Sequence, residues 1–521
     1  MARFMRPDDW ERVQIERGRY FNKERPITGY ARTARGRIKN IRGGNPLHPV
    51  CALKDRLAET HQRFRETYRG VNISRYHVRM PYWNSEEQNL PANYAFVKAP
   101  ERLTSTSITV VLVSRAQIQA AEMGFYYDGA TLPTLRERMK GISFRGLVGN
   151  LGYFMTRDLI GEKFPWSHNA RYPEFPLPTI LSYLGFHLSR DDAGEIYSSF
   201  QGAHPAAVGV RKNGEVDIIP RLKIEQYKVT LWEKEFFINS TNDPGAVDAD
   251  NKHPQVMLFT PGLWTPQVSA HVGDWETYAP KIPIPDRVNV FIANEGNGSA
   301  PVERVVKIWQ GRSPLPSFGA ILSFERDYFA ELFANYLEQD WRDERIKIEP
   351  LGGTNFDAYA QMLGGLVPVV VDGRHVYCVE TVAQLQTRLR DHGNATSPIA
   401  QCGRETNNFA PHVREPAGVL LQTEDHVGWV LFDGRYELSI GASVVDAAKL
   451  LKLLQDDGAL GGNIEQAVFI DGGSAMKAYA VESDATTTTL DLLNRVAAGS
   501  RNGPGDDPDG MNLYTLLKLR M

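Results

Sequence analysis

The sequence predicts a mixed α+β fold: strand-rich sheets with crossing helices. Short β patterns separated by turns recur between residues 200 and 350, and the last 110 residues alternate strands with turns. One amphipathic helix crosses between strands near residue 450, which favours α+β or mixed α/β over an all-β fold. Two regions are expected: residues 1–104 as a basic N-terminal arm or accessory domain, and residues 105–521 as the body.

Residues 1 to about 100 hold few β-branched runs and are punctuated by Pro, Gly and Arg, with one helix expected from Leu53 to Tyr68. At Ile108 to Val113 a buried-strand run opens the body, and a helix-like stretch comes next, from Ala116 to Met123. Further strands are read at Ala206 to Val210, Val216 to Ile219, Tyr227 to Leu231, Val256 to Phe259, Val288 to Ile292 and Val302 to Trp309. Toward the C-terminus come Val419 to Leu421, Gly428 to Phe432 and, after an Asp433-Gly434 turn, Tyr436 to Ile440. Ser443 and Asp446 form a capping-box pattern for a helix whose apolar positions Val444, Ala447, Ala448, Leu451 and Leu454 share one face, ending at Gly458. Strands Gln466 to Ile470, Met476 to Val481 and Leu513 to Leu519 complete the chain.

The 521 residues, 42% hydrophobic and 23% charged, exclude collagen-like, low-complexity and coiled-coil classes. Apolar runs such as Val110 to Val113 stop far short of the roughly 18 residues a membrane helix needs. No membrane partner is expected. Met1 to Trp10 carries Arg3, Arg6, Asp8 and Asp9 where a secretory signal would be apolar, so a cytoplasmic location is expected. Cys51, Cys378 and Cys402 are too few and too widely spaced for a disulfide framework or a zinc site, so reduced thiols are expected.

The net charge of -3 is unevenly spread. Residues 1–80 hold 19 Lys and Arg against 8 Asp and Glu, an excess of 11, which leaves -14 on the remainder. That segment is expected to dock on the acidic body or to mediate a homo-oligomer through a second subunit, anchored by Tyr20, Phe21, Tyr30, Leu53, Leu57, Phe64 and Tyr68. Nucleic acid is the disfavoured partner, because no RNP, helix-turn-helix or zinc-finger pattern is present.

Asp471-Gly472-Gly473-Ser474 puts a carboxylate at the end of an apolar strand, where two glycines allow a tight turn and close approach of a ligand to the main chain. The alternative is an ordinary hairpin turn. Asn150 stands at a strand end, where its amide can hydrogen-bond a ligand or cap a turn. Arg404, His412 and Arg414 lie close together beside Glu405, as an anion cradle or, in the plain alternative, a solvated ion pair and a loop histidine. The loops 242–252 and 501–510 carry carboxylates that are either solvated or hold a hard cation, so no cofactor is required and calcium is the minority reading. No Walker A, Rossmann or zinc spacing is present.

The order helix, buried strand, Asp-Gly-Gly-Ser, strand resembles the phosphodiester glycosidase domain family, whose signature is Asn-Leu-Asp-Gly-Gly-Gly-Ser. Gly149-Asn150-Leu151-Gly152-Tyr153-Phe154 resembles that family's Asn-Gly-Gly-Phe-Phe element, and His412 to Gly418 its Pro-Arg-Thr-Ala-Ile-Gly segment. Gly428 to Leu454 resembles that family's order of strand, Asp-Gly turn, strand and helix, and Ala206 to Ile219 its Gly-Val-X-X-Asn/Asp-Gly strand pair, so the likeness covers roughly residues 105–521. This sequence departs from the pattern at Ser474-Ala475, where the third Gly would stand, and at Leu151.

The resemblance implies cleavage of a sugar from a phosphodiester, with a phosphorylated sugar or glycan as substrate. Such a reaction passes through an oxocarbenium-like state that a carboxylate stabilises, while the departing phosphate monoester favours cationic donors over full protonation. It implies Asp471 as base or nucleophile, Glu405 as second carboxylate, and Arg404, His412 and Arg414 around the phosphate. Asn150, Gly472, Gly473 and Ser474 would position the sugar. The alternative is a non-catalytic protein that sequesters a phosphorylated sugar or nucleotide.

Overall fold

A computed structural model of the chain describes residues 61–68, 70–79, 105–125, 133–152, 154–156, 180–183, 186–201, 205–238, 240–241, 246–247, 250, 252–260, 287–295, 302–311, 319–333, 346–378, 388, 416–433, 441–472, 476–494 and 515–521.

The strands run β1 (His61–Tyr68), β2 (Val71–Arg79), β3 (Ser105–Ser114), β4 (Ala120–Phe125), β5 (Phe144–Asn150), β6 (Phe154–Thr156), β7 (Ile180–Tyr183), β8 (His187–Arg190) and β9 (Ile196–Ser198). They continue with β10 (Ala206–Arg211), β11 (Val216–Ile219), β12 (Gln226–Leu231), β13 (Lys234–Ile238), β14 (Val256–Phe259), β15 (Arg287–Glu295), β16 (Val302–Gln310), β17 (Ala320–Glu325) and β18 (Lys347–Leu351). The last are β19 (Tyr359–Val371), β20 (Arg374–His375), β21 (Ala417–Thr423), β22 (His426–Asp433), β23 (Ile464–Gly472), β24 (Ala478–Ser483), β25 (Thr488–Leu492) and β26 (Thr515–Arg520). The α-helices are α1 (Leu135–Met139), α2 (Arg326–Phe333) and α3 (Val444–Asp456).

The main sheet has the order β1-β2-β3-β22-β21-β23-β19-β10-β11, with β8 and β20 attached at β19 and β9 paired to β8. Its strands read as continuous apolar runs because both faces are covered. Val110 and Leu112 of β3 join the core under α3, whereas Val111 and Val113 join the core shared with a second sheet, β25-β24-β5-β26-β4. The same alternation separates Val419 and Leu421 from Leu420, and Val430 and Phe432 from Trp429 and Leu431. The centre is therefore three layers: helix, main sheet, second sheet.

A third core is built from the segment between β11 and β19. There the sheets β13-β12-β18 and β14-β17-β15-β16 pack with α2 around Phe236, Phe324, Phe329 and Phe333. The Phe324 and Phe333 rings meet edge to face at 5.9 Å. Among the described residues no helix is long and apolar enough to cross a membrane.

The expectation of an α+β fold is corrected, because among the described residues the protein is mainly β and its strand ladders are antiparallel. Two stretches expected as helix differ. His61–Tyr68, the end of the helix read from Leu53, is instead β1, paired with β2 from His61↔His77 to Tyr68↔Val71. Gly70, at φ +85, closes that hairpin, a conformation glycine adopts without strain. The stretch Ala116 to Met123 splits into a 3-10 turn, Arg115–Gln117, and β4, whose Met123 and Phe125 are fully buried against the main sheet. Long-range pairing with β26 wins there over local helix propensity. β1 and β2 precede residue 104, the boundary expected from the sequence, and β2 pairs with β3 from Asn72↔Leu112 to Arg79↔Ser105, so residues 71–79 belong to the main sheet.

α3 forms where the capping pattern places it. Ser443 Oγ accepts from Asp446 N and Asp446 Oδ2 accepts from Ser443 N, both at 3.1 Å. Both residues are buried, so neither can be re-solvated cheaply. Ser443→Ala is expected to lower unfolding free energy by about 1–2 kcal/mol, read as a shifted midpoint in chemical denaturation. A midpoint equal to the parent's would show that the cap contributes nothing. Leu450, Leu451 and Leu454 anchor the helix on the main sheet, and Gly458, at φ +72, ends it.

Candidate active site at the end of the central strand

β23 lies between β21 and β19 in the main sheet. Val468 and Ile470 fill one core and Phe469 the other, so the strand is held from both faces up to its last two residues, Asp471 and Gly472. Its pairing with β21 runs Phe469↔Val419, then Asp471↔Gly418 and Gly472↔Ala417. Ile470 is the extra residue, which makes a β-bulge immediately before Asp471. A bulge interrupts the alternation of side chains and re-aims the residues after it, and bulges recur beside functional sites for that reason.

The surroundings of this strand end are tightly specified. A Cβ on Gly418, opposite Asp471, would lie 1.9 Å from Met476 Cε, so the Met476 side chain occupies the space that glycine leaves. Met476 also touches Asn150, whose Nδ2 lies 3.7 Å from the thioether sulfur. One side chain thus links Asn150 at the end of β5 to the residue paired with Asp471. Across the second sheet, Asn150 N donates to Lys477 O at 3.1 Å.

Asn150 is 1% exposed, and its Oδ1 accepts from Leu151 N at 2.8 Å and Gly152 N at 3.4 Å. This is an Asx-type cap of the strand end, so the amide oxygen organises backbone. Its carbonyl oxygen accepts from Trp429 Nε1 at 3.3 Å. The Trp429 indole lies against Gly149, where a Cβ would approach Cε2 to 2.7 Å. The described segment that begins at Met476 is clamped by buried Asn494, whose Nδ2 donates to Met476 O at 2.8 Å and whose Oδ1 accepts from Ala478 N at 3.0 Å. Arg75 of β2 reaches the same end, with Nη2 donating to Leu493 O at 2.9 Å.

Of the residues singled out in the sequence, Asn150, Asp471 and Gly472 fall in described backbone, and the structure brings them to one end of the stacked sheets. Arg404, Glu405, His412, Arg414, Gly473 and Ser474 lie outside the described residues. Arg414 precedes Ala417, the partner of Gly472, by three positions in the chain, and Ser474 comes two positions after Gly472. The strand expected at Tyr436 to Ile440 and the carboxylate loop 501–510 also lie outside, as does most of loop 242–252. Among the described residues no group of three or more His, Cys, Asp or Glu is arranged to hold a metal ion.

Sequence reasoning missed Trp429, Met476, Lys477 and Asn494 as parts of this region. Lys477 is buried and sits three positions after Ser474, a spacing that could have marked it. Asn494 carries no comparable signal, because a lone amide at a strand end reads as any turn residue.

No protein-family model matches the chain, and no curated protein matches it significantly. Among solved structures, a hypothetical protein from Synechocystis is similar at 13% identity and a TM-score of 0.37, over 86% of this chain and 62% of that one. The chain therefore spans less than two thirds of that protein. A protein of Burkholderia pseudomallei K96243 assigned as exported is similar at 12% identity and a TM-score of 0.37, over 89% of this chain and 96% of that one. The catalytic domain of zebrafish N-acetylglucosamine-1-phosphodiester alpha-N-acetylglucosaminidase, auto-inhibited by its pro-peptide, is similar at 10% identity and a TM-score of 0.31. That match covers 80% of this chain and 77% of that domain. These are distant likenesses of fold.

Proposed function

We propose that the protein is a glycoside hydrolase that cleaves a sugar from a phosphodiester, with the chemistry at the C-terminal end of β23. The observation that carries the reading is the bulged strand end: Asp471 comes directly after the bulge at Ile470, pairs with Gly418, and shares through Met476 the neighbourhood of Asn150. In this reading Asp471 is base or nucleophile and Glu405 the second carboxylate, with the sugar's developing positive charge between them. Arg404, His412 and Arg414, on the stretch leading into β21, hold the phosphate as it departs. The glycine backbone after Asp471 lets the sugar approach the main chain closely. Asn150 contributes by fixing the end of β5, since its amide oxygen is committed to Leu151 and Gly152.

Incubation of the full chain with a panel of sugar phosphodiesters, followed by mass analysis of ligand and products, tests the proposal. Release of free sugar and a phosphate monoester in equal amounts is the expected result. Ligand returned intact from a tight complex would instead support a protein that sequesters its phosphorylated ligand.

A further inference from the structure

A second concave site lies at the opposite end of β23, about 20 Å along the strand from Asp471 by the rise per residue. The main sheet curls there until edge strand β11 faces β21 and β23, and Ile218 N of β11 donates to Gln422 Oε1 of β21 at 3.3 Å. Between them is an open groove of about 620 Å³, which suits one or two sugar rings.

Its polar groups are held in place before any ligand arrives. Asp217 Oδ2 accepts from Arg211 Nε at 2.5 Å and from Tyr359 OH at 3.0 Å. Burial, with the Asp217 carboxylate adding to it, pushes the Tyr359 phenol up to about 12, so it remains a donor at any ordinary pH. Nine-tenths-buried Gln422 donates from Nε2 to Glu465 Oε2 at 3.4 Å. Gln466 and Asp372 exchange two bonds, Nε2 to Oδ1 at 2.7 Å and Asp372 N to Oε1 at 3.3 Å. Asp372, at φ +49, and Gly373, at φ +75, form the tight turn between β19 and β20 that fixes this carboxylate.

The groups left unused at the groove are of both kinds. Among the described residues, Arg211 Nη1 and Nη2 and Asn463 Nδ2 are donors in no hydrogen bond, and Asp217 Oδ1, Asp372 Oδ2 and Glu465 Oε1 are acceptors in none. A hydroxyl both donates and accepts, so adjacent hydroxyls satisfy such a mixed set, whereas an ammonium ligand, which only donates, would leave the Arg211 Nη and Asn463 Nδ2 donors without an acceptor. Three carboxylates against one guanidinium oppose a phosphate or carboxylate ligand. Ile218, Ile219 and Pro220 supply an apolar wall for the carbon face of a ring.

We infer that this groove is a binding site for a neutral, hydroxyl-rich ligand, a sugar residue carrying no phosphate, separate from the site at Asp471. Binding there does not depend on the proposed hydrolysis. Titration calorimetry of the full chain with maltose, cellobiose and free N-acetylglucosamine tests it, with putrescine and inorganic phosphate as the cation and anion arms. Saturable binding of at least one saccharide is expected, weakened about tenfold or more by Glu465→Gln and by Asp217→Asn, and unchanged by Asp471→Asn. Glu465 is exposed, so its variant keeps the test valid if Asp217→Asn fails to fold. No saturable saccharide binding up to about 50 mM, a limit weaker than even a Kd of 1 mM, or binding that Glu465→Gln leaves intact, would overturn the inference. So would putrescine or phosphate binding in place of the saccharides.

Discussion

Trp429→Ala is expected to lower the unfolding free energy by about 3–5 kcal/mol, the range for removing a fully buried large aromatic side chain. Trp429 is 0% exposed and lies in the core between the main and second sheets. Its loss leaves a cavity lined on one side by Gly149, which has no side chain to move in. It also leaves the Asn150 carbonyl, 279 residues away in sequence, without its indole donor. Trp429→Phe separates the two effects, because it keeps most of the apolar contact and removes the N–H; about 1 kcal/mol of additional loss from the hydrogen bond is expected on top of a smaller cavity cost. Equilibrium denaturation of both variants checks this. If Trp429→Ala costs less than about 1 kcal/mol, an ordinary value for any single substitution, the two sheets are not held together as described.

The consequence extends beyond stability. Gly149, Asn150 and Trp429 together set where β5 ends relative to the main sheet, and Asn150 reaches Met476, which lies over Gly418. A collapse around the missing indole would therefore displace the strand end that carries Asp471. Loss of activity in Trp429→Ala is expected to accompany loss of structure.

Much of the sheet framework was legible because buried strands announce themselves. Val256–Phe259 and Val216–Ile219 coincide with their apolar runs, and Ser443 with Asp446 marks the start of α3. β8 and β9 were not legible, since His-Leu-Ser-Arg and Ile-Tyr-Ser carry polar residues where the legible four-residue strands carry apolar runs. β4 read as helix because Ala, Glu and Met favour one locally, and only its ladder with β26, at the far end of the chain, makes it a strand. The same limit applies to the site. Asp471 at a strand end is visible in sequence, but the bulge at Ile470 exists only relative to β21, and the role of Gly418 is apparent only once Met476 is seen lying over it. The groove at Glu465 and Asp217 was invisible for the same reason: its residues come from β10, β11, β19, β21 and β23 and meet only when the sheet curls.

The central claim is that Asp471, presented by the bulged end of β23, performs the chemistry. Asp471→Asn keeps the shape of the side chain and removes its charge and basicity, and the neighbouring pairs Asp471↔Gly418 and Gly472↔Ala417 are backbone contacts that do not need the carboxylate. The measurement is kcat/KM for whichever sugar phosphodiester the parent protein turns over, with denaturation of the same preparations run in parallel. A fall of about 10²–10⁴-fold is predicted, the scale at which a positioned acid or base acts, with the unfolding midpoint unchanged. Full turnover by a folded Asp471→Asn protein would contradict the claim.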